Sequence, residues 1–476
     1  LGLLALLAIY LSVALIYGQL KPLGEAPDEI AHMDLIRFIG REGHLPRSDA
    51  ERQAAGYKSD SPMLYHILVG AATGWIDYDE LPRLKVNDVS PRHMLINDGL
   101  SPFAVIHTDD EALPYRGIVL AWHVARLVST VISLLTLVVV YAIVLTIRPD
   151  DHWLALGATA VAAAIPQFHL IASSVNDDNL LGLLSALFIL VLLQAWKHPQ
   201  RRRTYVWLGL WFGLALTTKY TVVGLLPLVF LVSARAVSRR ELGWKGAVGR
   251  LLVFGATAIV VAAWWFIYIE WYFNEIGERG LIAGLAKPLS FDVSTEQLTS
   301  LLTGGANRLP TVFFPGGTTL WDWAFNLFRS FWFVPGKASS AATTILSTAF
   351  LGLCLLAALG LWRGWRRGYD WPWPILGLLG LLLGLLVPAP LLRFYLTLNP
   401  AEAGQGRHIL FPTVAAVGLL LTLGLAAWLP AAYRRFAGLG LAGILLVVSL
   451  ISFFGLILPA FPPRLPVRAS SDALGV

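Results

Sequence analysis

The stretch "TYVWLGLWFGLALTTKYTVVGLLPLVFLVSAR", residues 204–235, decides the fold. It is apolar over about thirty residues, yet basic clusters flank it on both sides, "KHPQRRR" (197–203) and "RAVSRRELGWK" (235–245). Lys and Arg in short loops stay on the cytoplasmic side of a membrane. Both flanks therefore demand the same side, and the chain must turn back near "TTKY" (217–220). Each arm then has about 15 residues, or about 22 Å of helix, short of a hydrocarbon core about 30 Å thick. Lys219, at the turn, is expected to sit recessed below the outer surface. A single long tilted helix is the rival reading, and it leaves the second basic cluster on the wrong side.

Working outward, apolar runs recur along the whole chain. Of its 476 residues 56% are hydrophobic and 14% charged, with a mean hydropathy of +0.65, which excludes an ordinary soluble domain. The pattern predicts an all-α polytopic membrane protein with eleven spans, at about 1–20, 116–147, 152–173, 179–196, 204–218, 220–235, 250–272, 343–362, 372–392, 407–428 and 436–458. The first run, "LGLLALLAIYLSVALIYGQL", is too long for a signal peptide and reads as a span. The basic loops "RGWRR" (363–367) and "YRR" (433–435) fall on the same side as the first two. The N-terminus is then inside and the tail "FPPRLPVRASSDALGV" outside. The chain forms one transmembrane domain, with two large extracytoplasmic segments at 21–115 and 273–342 and C-terminal spans over 343–476.

Several classes drop out. The net charge of +6 is scattered between spans rather than gathered in a patch, so no nucleic-acid partner is expected. The lone Cys354 lies in a span, which excludes a disulfide framework or a thiolate metal site. No internal repeat and no Gly-rich nucleotide loop is present.

The first outer segment holds 16 of the 30 acidic residues. In "PDEIAHMDLIRFIGREG" (27–43), Ile30, Met33, Leu35, Ile36 and Ile39 share one face of a helix. A second apolar helix is expected in "SPMLYHILVGAATGWI" (61–76), and both are expected along the membrane surface. The second segment ends in the aromatic run "FFPGGTTLWDWAFNLFRSFWFVPG" (313–336), suited to headgroup depth.

The unusual polar motifs all fall on the outside. They are "PDEIAH" (27–32), "NDDN" (176–179), Lys219 and "AEAGQGRH" (401–408). His123, Arg126 and Arg393 lie in the outer halves of spans. Ionisable groups at membrane depth cost a few kcal/mol each, so one shared cavity is the economical expectation. Each residue also has a structural reading. Asp28 and Glu29 suit a helix N-terminus, Asn176, Asp177 and Asp178 suit a cap, His32 suits an ion pair, a metal or an interface, and Arg407 suits a snorkelling anchor. A carboxylate facing several cations fits glycosyl transfer from a lipid-linked phosphosugar. The phosphate leaves as a stable anion, so one base to deprotonate the acceptor hydroxyl suffices, with Arg and Lys holding the phosphate. A glycosidase needs two flanking carboxyl groups.

In this order and spacing, "PDEIAHMDLIRFIGREGHLP", "SSVNDDN", "LALTTKYT", "SFWFVPG" and "QGRHILFPT" resemble an uncharacterised prokaryotic membrane family of the GT-C superfamily of lipid-phosphosugar glycosyltransferases, related to the protein O-mannosyltransferases. The resemblance covers nearly the whole chain. It implies a GT-C-like fold, an inverting transferase in a prokaryotic plasma membrane, a polyprenyl-phosphate sugar donor, and a protein, lipid or glycan acceptor. It implies Asp28 as catalytic base with Glu29 or His32 in support, and Lys219, Arg407 and Arg126 near the donor phosphate. Asn176, Asp177, Asp178, Gln405 and His408 complete the expected site. His408 stands where an aromatic residue is usual, and "SPMLYH" departs from a second Pro and Tyr, which puts acceptor contacts in question. Some superfamily members use a divalent cation, Mg or Mn, and others use none; Asp28, Glu29, His32, Asp177 and Asp178 could hold one, but no metal ligand is assigned. Two other classes remain: a transporter or flippase of lipid-linked saccharides, and a non-catalytic subunit of a larger membrane complex docked through 321–333. The paired broken helices usual in transporters are not visible.

Overall fold

The computed structural model describes residues 1–81, 84–86, 105–274, 320–333, 340–397 and 403–460. The tail 461–476, most of the second outer segment, and the "AE" of "AEAGQGRH" lie outside the described residues. The first half of the chain builds α1 (Gly2–Leu20), α2 (Glu29–Glu42), α3 (Asp49–Ala55), α4 (Leu64–Thr73), strands β1 (Lys85–Val86) and β2 (Val105–Ile106), α5 (Gly117–Ile147), α6 (His152–Ala164), α7 (Pro166–Ala172) and α8 (Asp178–Lys197). Then follow α9 (Arg202–Leu216), α10 (Leu226–Ser238), α11 (Trp244–Phe273), α12 (Leu320–Trp332), α13 (Ser340–Arg366), α14 (Trp373–Leu385), α15 (Pro388–Thr397), α16 (Arg407–Ala426) and α17 (Ala437–Ser452).

The architecture is an all-α multi-pass membrane protein. Among the described residues its one departure is an antiparallel ladder of two residue pairs, Lys85 with Ile106 and Val86 with Val105. Among the described residues nine helices are long and apolar enough to cross a membrane, and the bent pair α6–α7 makes a tenth. The expected count of eleven is corrected by α9, which is helical where predicted but has only 15 residues. The bend between α6 and α7 is 68°. Its cause is Pro166, which favours an extended conformation at Ile165 and opens a new helix.

The decisive stretch does turn back. Helix α9 ends at Leu216, Thr217 to Lys219 form the turn, and a 3-10 segment over Tyr220–Leu225 leads into α10. Both arms return to one end of the bundle. There Arg235 at the end of α10 donates to the Trp196 carbonyl at 3.2 Å, and Arg250 near the start of α11 donates to the Gln200 carbonyl at 2.7 Å. At that end too, Arg434 donates to the Tyr369 hydroxyl at 2.6 Å and Arg148 faces Asp370. The basic loops are thus neighbours, as the sequence requires.

The bundle core runs through α5, α6, α8 and α16. Helix α16 is buried along most of its length, with Leu410, Ala416 and Leu419 fully enclosed. Small residues bring backbones together, as where Gly157 of α6 meets Gly438 of α17. The outer segment corrects one expectation. The apolar face of α2 packs on protein, with Met33, Leu35, Ile36 and Ile39 buried and Ile39 against Gly70 of α4, so that face is not a membrane-surface stripe. This folding of α2 and α4 onto the bundle carries Asp28 to the open helix ends.

Candidate functional site

Asp28 precedes α2 in a left-handed conformation, with φ of 61°. That backbone costs about 1–2 kcal/mol for an L residue and is most tolerable for Asp and Asn. The carboxylate does not cap its own helix. Instead Oδ2 accepts from Arg407 Nη2 at 2.5 Å and lies 3.9 Å from Lys58 Nζ, while Oδ1 accepts from the Tyr57 hydroxyl at 3.3 Å. The side chain keeps 32% exposure. Burial alone would raise its pKa, but the Lys58 ammonium and the Arg407 guanidinium hold it well below the usual carboxylate range. Helix-end electrostatics is therefore not what places Asp28.

From Arg407 the network continues inward. Arg407 Nε lies 3.4 Å from Asp178 Oδ2, and Nη2 also donates to Gln405 Oε1 at 2.8 Å. Asp178 Oδ1 and Asp177 Oδ1 accept from Lys219 Nζ at 2.6 and 2.9 Å. His32 Nε2 is 3.9 Å from Asp177 Oδ1, and His408 Nε2 is 4.0 Å from Asp178 Oδ2. The His32 ring stacks on His66, with Nδ1 and Nε2 at 2.9 Å. Burial lowers the pKa of both imidazoles, to about 3 for His66, so the pair is neutral at physiological pH. Segments far apart in sequence thus supply one row of charges.

The cap at α8 falls to Asn176. Its Oδ1 accepts from the Asp178 amide at 3.0 Å, and its Nδ2 donates to the Pro27 carbonyl at 3.3 Å. With Asn176 performing that task, Asp177 and Asp178 are both available to Lys219. The turn that recesses Lys219 leaves its side chain 18% exposed.

Glu29 and Arg126 form a second, separate unit. Arg126 Nε and Nη2 donate to Glu29 Oε1 and Oε2 at 2.8 and 2.7 Å, and neither side chain is more than 3% exposed. The remaining Arg126 donors reach the carbonyls of Gly18, Lys21 and Pro22. Glu29 also accepts from the amides of Gly24 and Val175, and Arg126 with Lys21 holds its pKa at about 2 against burial. This pair staples the end of α1, the start of α2 and the segment before α8 together.

Both Glu29 oxygens are taken by Arg126, and Asp177 and Asp178 share one ammonium. Among the described residues no three His, Cys, Asp or Glu side chains converge as a metal site.

Several contributors escaped the sequence reading. Tyr57 and Lys58 reach Asp28 from a 3-10 turn whose residues have no periodicity to read. Ser330 of α12 donates to the Gly404 carbonyl at 2.7 Å and accepts from the Gly406 amide at 2.8 Å. A side chain on Gly406 would collide with the Leu327 carbonyl oxygen and the Phe331 amide. The glycine beside Arg407 was the available signal: it lets the aromatic helix α12 press against the loop that presents the arginine.

Comparison with known proteins bears on this arrangement. Residues 121–266 match the family described as Dolichyl-phosphate-mannose-protein mannosyltransferase. That stretch contains Arg126, the Asn176–Asn179 motif and Lys219, and over it the resemblance read from the motifs is met. No curated protein matches the chain. Among solved structures, ArnT from Cupriavidus metallidurans bound to undecaprenyl phosphate is similar at 15% identity and a TM-score of 0.48, over 96% of this chain and 73% of that one. The apo form of the same protein is similar at 16% identity and a TM-score of 0.46, with the same coverage of both chains.

Proposed function

We propose that this chain is a membrane glycosyltransferase. On this reading it moves a sugar from a polyprenyl-phosphate carrier to an acceptor hydroxyl on the extracytoplasmic face of a prokaryotic plasma membrane. The carrying observation is the Asp28–Arg407 pair, a partly exposed carboxylate in direct contact with a buried guanidinium. The family match over 121–266 supports the same class.

The donor phosphate competes with Asp28 for Arg407. When it binds, Arg407 and Lys58 turn to the phosphate oxygens, and Asp28 loses the cations that suppress its basicity. The freed carboxylate takes the proton of the acceptor hydroxyl as the acceptor oxygen bonds to the anomeric carbon. The bond from that carbon to the phosphate oxygen breaks, and polyprenyl phosphate departs as an anion that needs no proton. Lys219 joins the phosphate by exchanging one of its two carboxylates, and its exposure gives it the access that Arg126 lacks. Glu29 and Arg126 act as positioning residues. Asn176, Asp177, Asp178, Gln405, His32 and His408 hold the cations in place. No step is routed through a metal.

The test uses the full chain in lipid nanodiscs with a panel of synthetic polyprenyl-phosphate hexoses. Release of polyprenyl phosphate and gain of sugar on the acceptor are read by mass spectrometry. Asp28→Asn is expected to lower transfer by about 100-fold or more while donor binding persists. Full turnover in that variant, or movement of labelled donor between leaflets with no covalent product, overturns the assignment.

A further inference from the structure

At the end of the bundle remote from Asp28, a cleft of about 270 Å³ is lined by Leu359, Trp362, Arg363, Arg366, Arg367 and Trp428. The first four share one face at the end of α13, at spacings of three and four residues, and Arg367 follows directly, its amide bonded to the Arg363 carbonyl at 3.0 Å. Trp428 follows the end of α16, whose 20 residues place it about 30 Å from Arg407. The cleft exists because α13 and α16 cross with backbones in contact. A side chain on Gly360 would strike the Gly424 carbonyl, and one on Gly424 would strike that of Ala357. Trp428 Nε1 donates to the Leu356 carbonyl at 2.9 Å, which holds the indole at this crossing.

The chemistry of the lining is one-sided. Three guanidinium groups face the cleft, and among the described residues none of them is paired with a carboxylate. Arg363 lies over the Trp428 ring at 4.9 Å and Arg366 over the Trp362 ring at 5.7 Å. Arg363 Nε is buried with no hydrogen-bond partner, and a buried donor without a partner costs about 1–3 kcal/mol. Simple anchoring at the membrane boundary explains a single arginine over a tryptophan. It does not explain three arginines around one concavity with an unsatisfied donor inside it.

We propose that this cleft is a binding site for the phosphate headgroup of an anionic phospholipid of the cytoplasmic leaflet. The basic loops place this end at the cytoplasmic boundary. Trp362, 58% exposed, and Trp428, 40% exposed, are of the residue type that favours headgroup depth. Guanidinium forks suit a phosphate diester bidentately, and basic pockets between helices at this boundary take anionic headgroups. The inference does not depend on the proposed transferase activity.

The test is a titration of lipid-depleted, full-length protein in nonionic detergent with dioleoyl-phosphatidylglycerol, read by native mass spectrometry. Dioleoyl-phosphatidylcholine is the zwitterionic control. Arg363→Gln combined with Arg366→Gln is expected to weaken phosphatidylglycerol binding at least tenfold and to leave phosphatidylcholine unchanged. The matched control is Arg202→Gln with Arg203→Gln, which removes equal charge from the exposed start of α9 and is expected to have little effect. Equal weakening by both pairs overturns the proposal, because the attraction is then only that of a positive surface. Displacement of the lipid by inorganic phosphate at equal concentration also overturns it, because the ligand is then a free anion.

Discussion

Arg407 Nη2 stands 2.5 Å from Asp28 Oδ2, a contact across 379 residues of chain that joins the turn between α1 and α2 to the start of α16. Replacing the arginine removes both the proposed phosphate ligand and the cation that suppresses Asp28. Arg407→Gln is expected to lower transfer by about 100- to 1000-fold, checked by single-turnover release of polyprenyl phosphate.

The same variant shifts the pH dependence. With its pKa held well below the usual range, Asp28 stays ionised from neutral pH down past the ordinary carboxylate range. Loss of Arg407 raises that pKa. The acid limb of the pH profile of kcat/KM, which reports the free enzyme in which the pair is intact, is therefore expected to lie at higher pH in Arg407→Gln than in the wild type. An unmoved limb assigns the limb to another group.

The Glu29–Arg126 pair predicts stability more than chemistry. Breaking a buried, hydrogen-bonded ion pair costs about 3–5 kcal/mol because it strands the partner charge. Glu29→Ala and Arg126→Met are each expected to lower Tm sharply in detergent. Tyr57→Phe, at a 61% exposed position, should leave Tm nearly unchanged. Scanning fluorimetry separates the two classes.

Gly406→Ala tests the support behind Arg407. The added methyl group meets the backbone of α12 at Leu327 and Phe331, which cannot move as a flexible side chain would. A cost of about 1–3 kcal/mol in stability is expected, with a larger proportional loss of donor affinity, measured by titration with a donor analogue.

His107 supplies a pH-dependent clasp away from the site. Its Nδ1 lies 2.7 Å from Glu111 Oε1 and its Nε2 3.5 Å from Glu25 Oε1. Burial alone would lower its pKa, but the two carboxylates raise it to about 9. A group whose folded pKa is raised stabilises fully below its unfolded pKa of about 6.5 and ceases to do so as pH rises through about 9. Tm of the wild type is therefore expected to fall between those values, and that of His107→Gln to change less over the same interval.

How much was legible in advance follows from how local each signal is. Span positions could be read because an apolar run of membrane length is a property of neighbouring residues, and the reversal at 217–219 because two basic flanks left it no alternative side. The count was less secure, since α9 is too short to qualify as a crossing by length and Pro166 splits one span into a bent pair. In the site, residue types and their gathering at one end of the bundle could be read, but partners could not. Glu29 and Asp28 are adjacent and chemically alike, yet one is sealed against Arg126 and the other left partly open beside Arg407.

The sequence by itself determined where the apolar helices lie, which end carries the basic loops, and which polar motifs lie at the opposite end, because hydropathy and charge act on the chain locally. Only the tertiary structure decided which carboxylate meets which cation and that Asn176 caps in place of its aspartates. It also decided that Gly406, rather than any charged residue, sets how closely α12 presses on Arg407. Those outcomes depend on side-chain contacts a few ångströms long between segments hundreds of residues apart, and no local pattern encodes such distances.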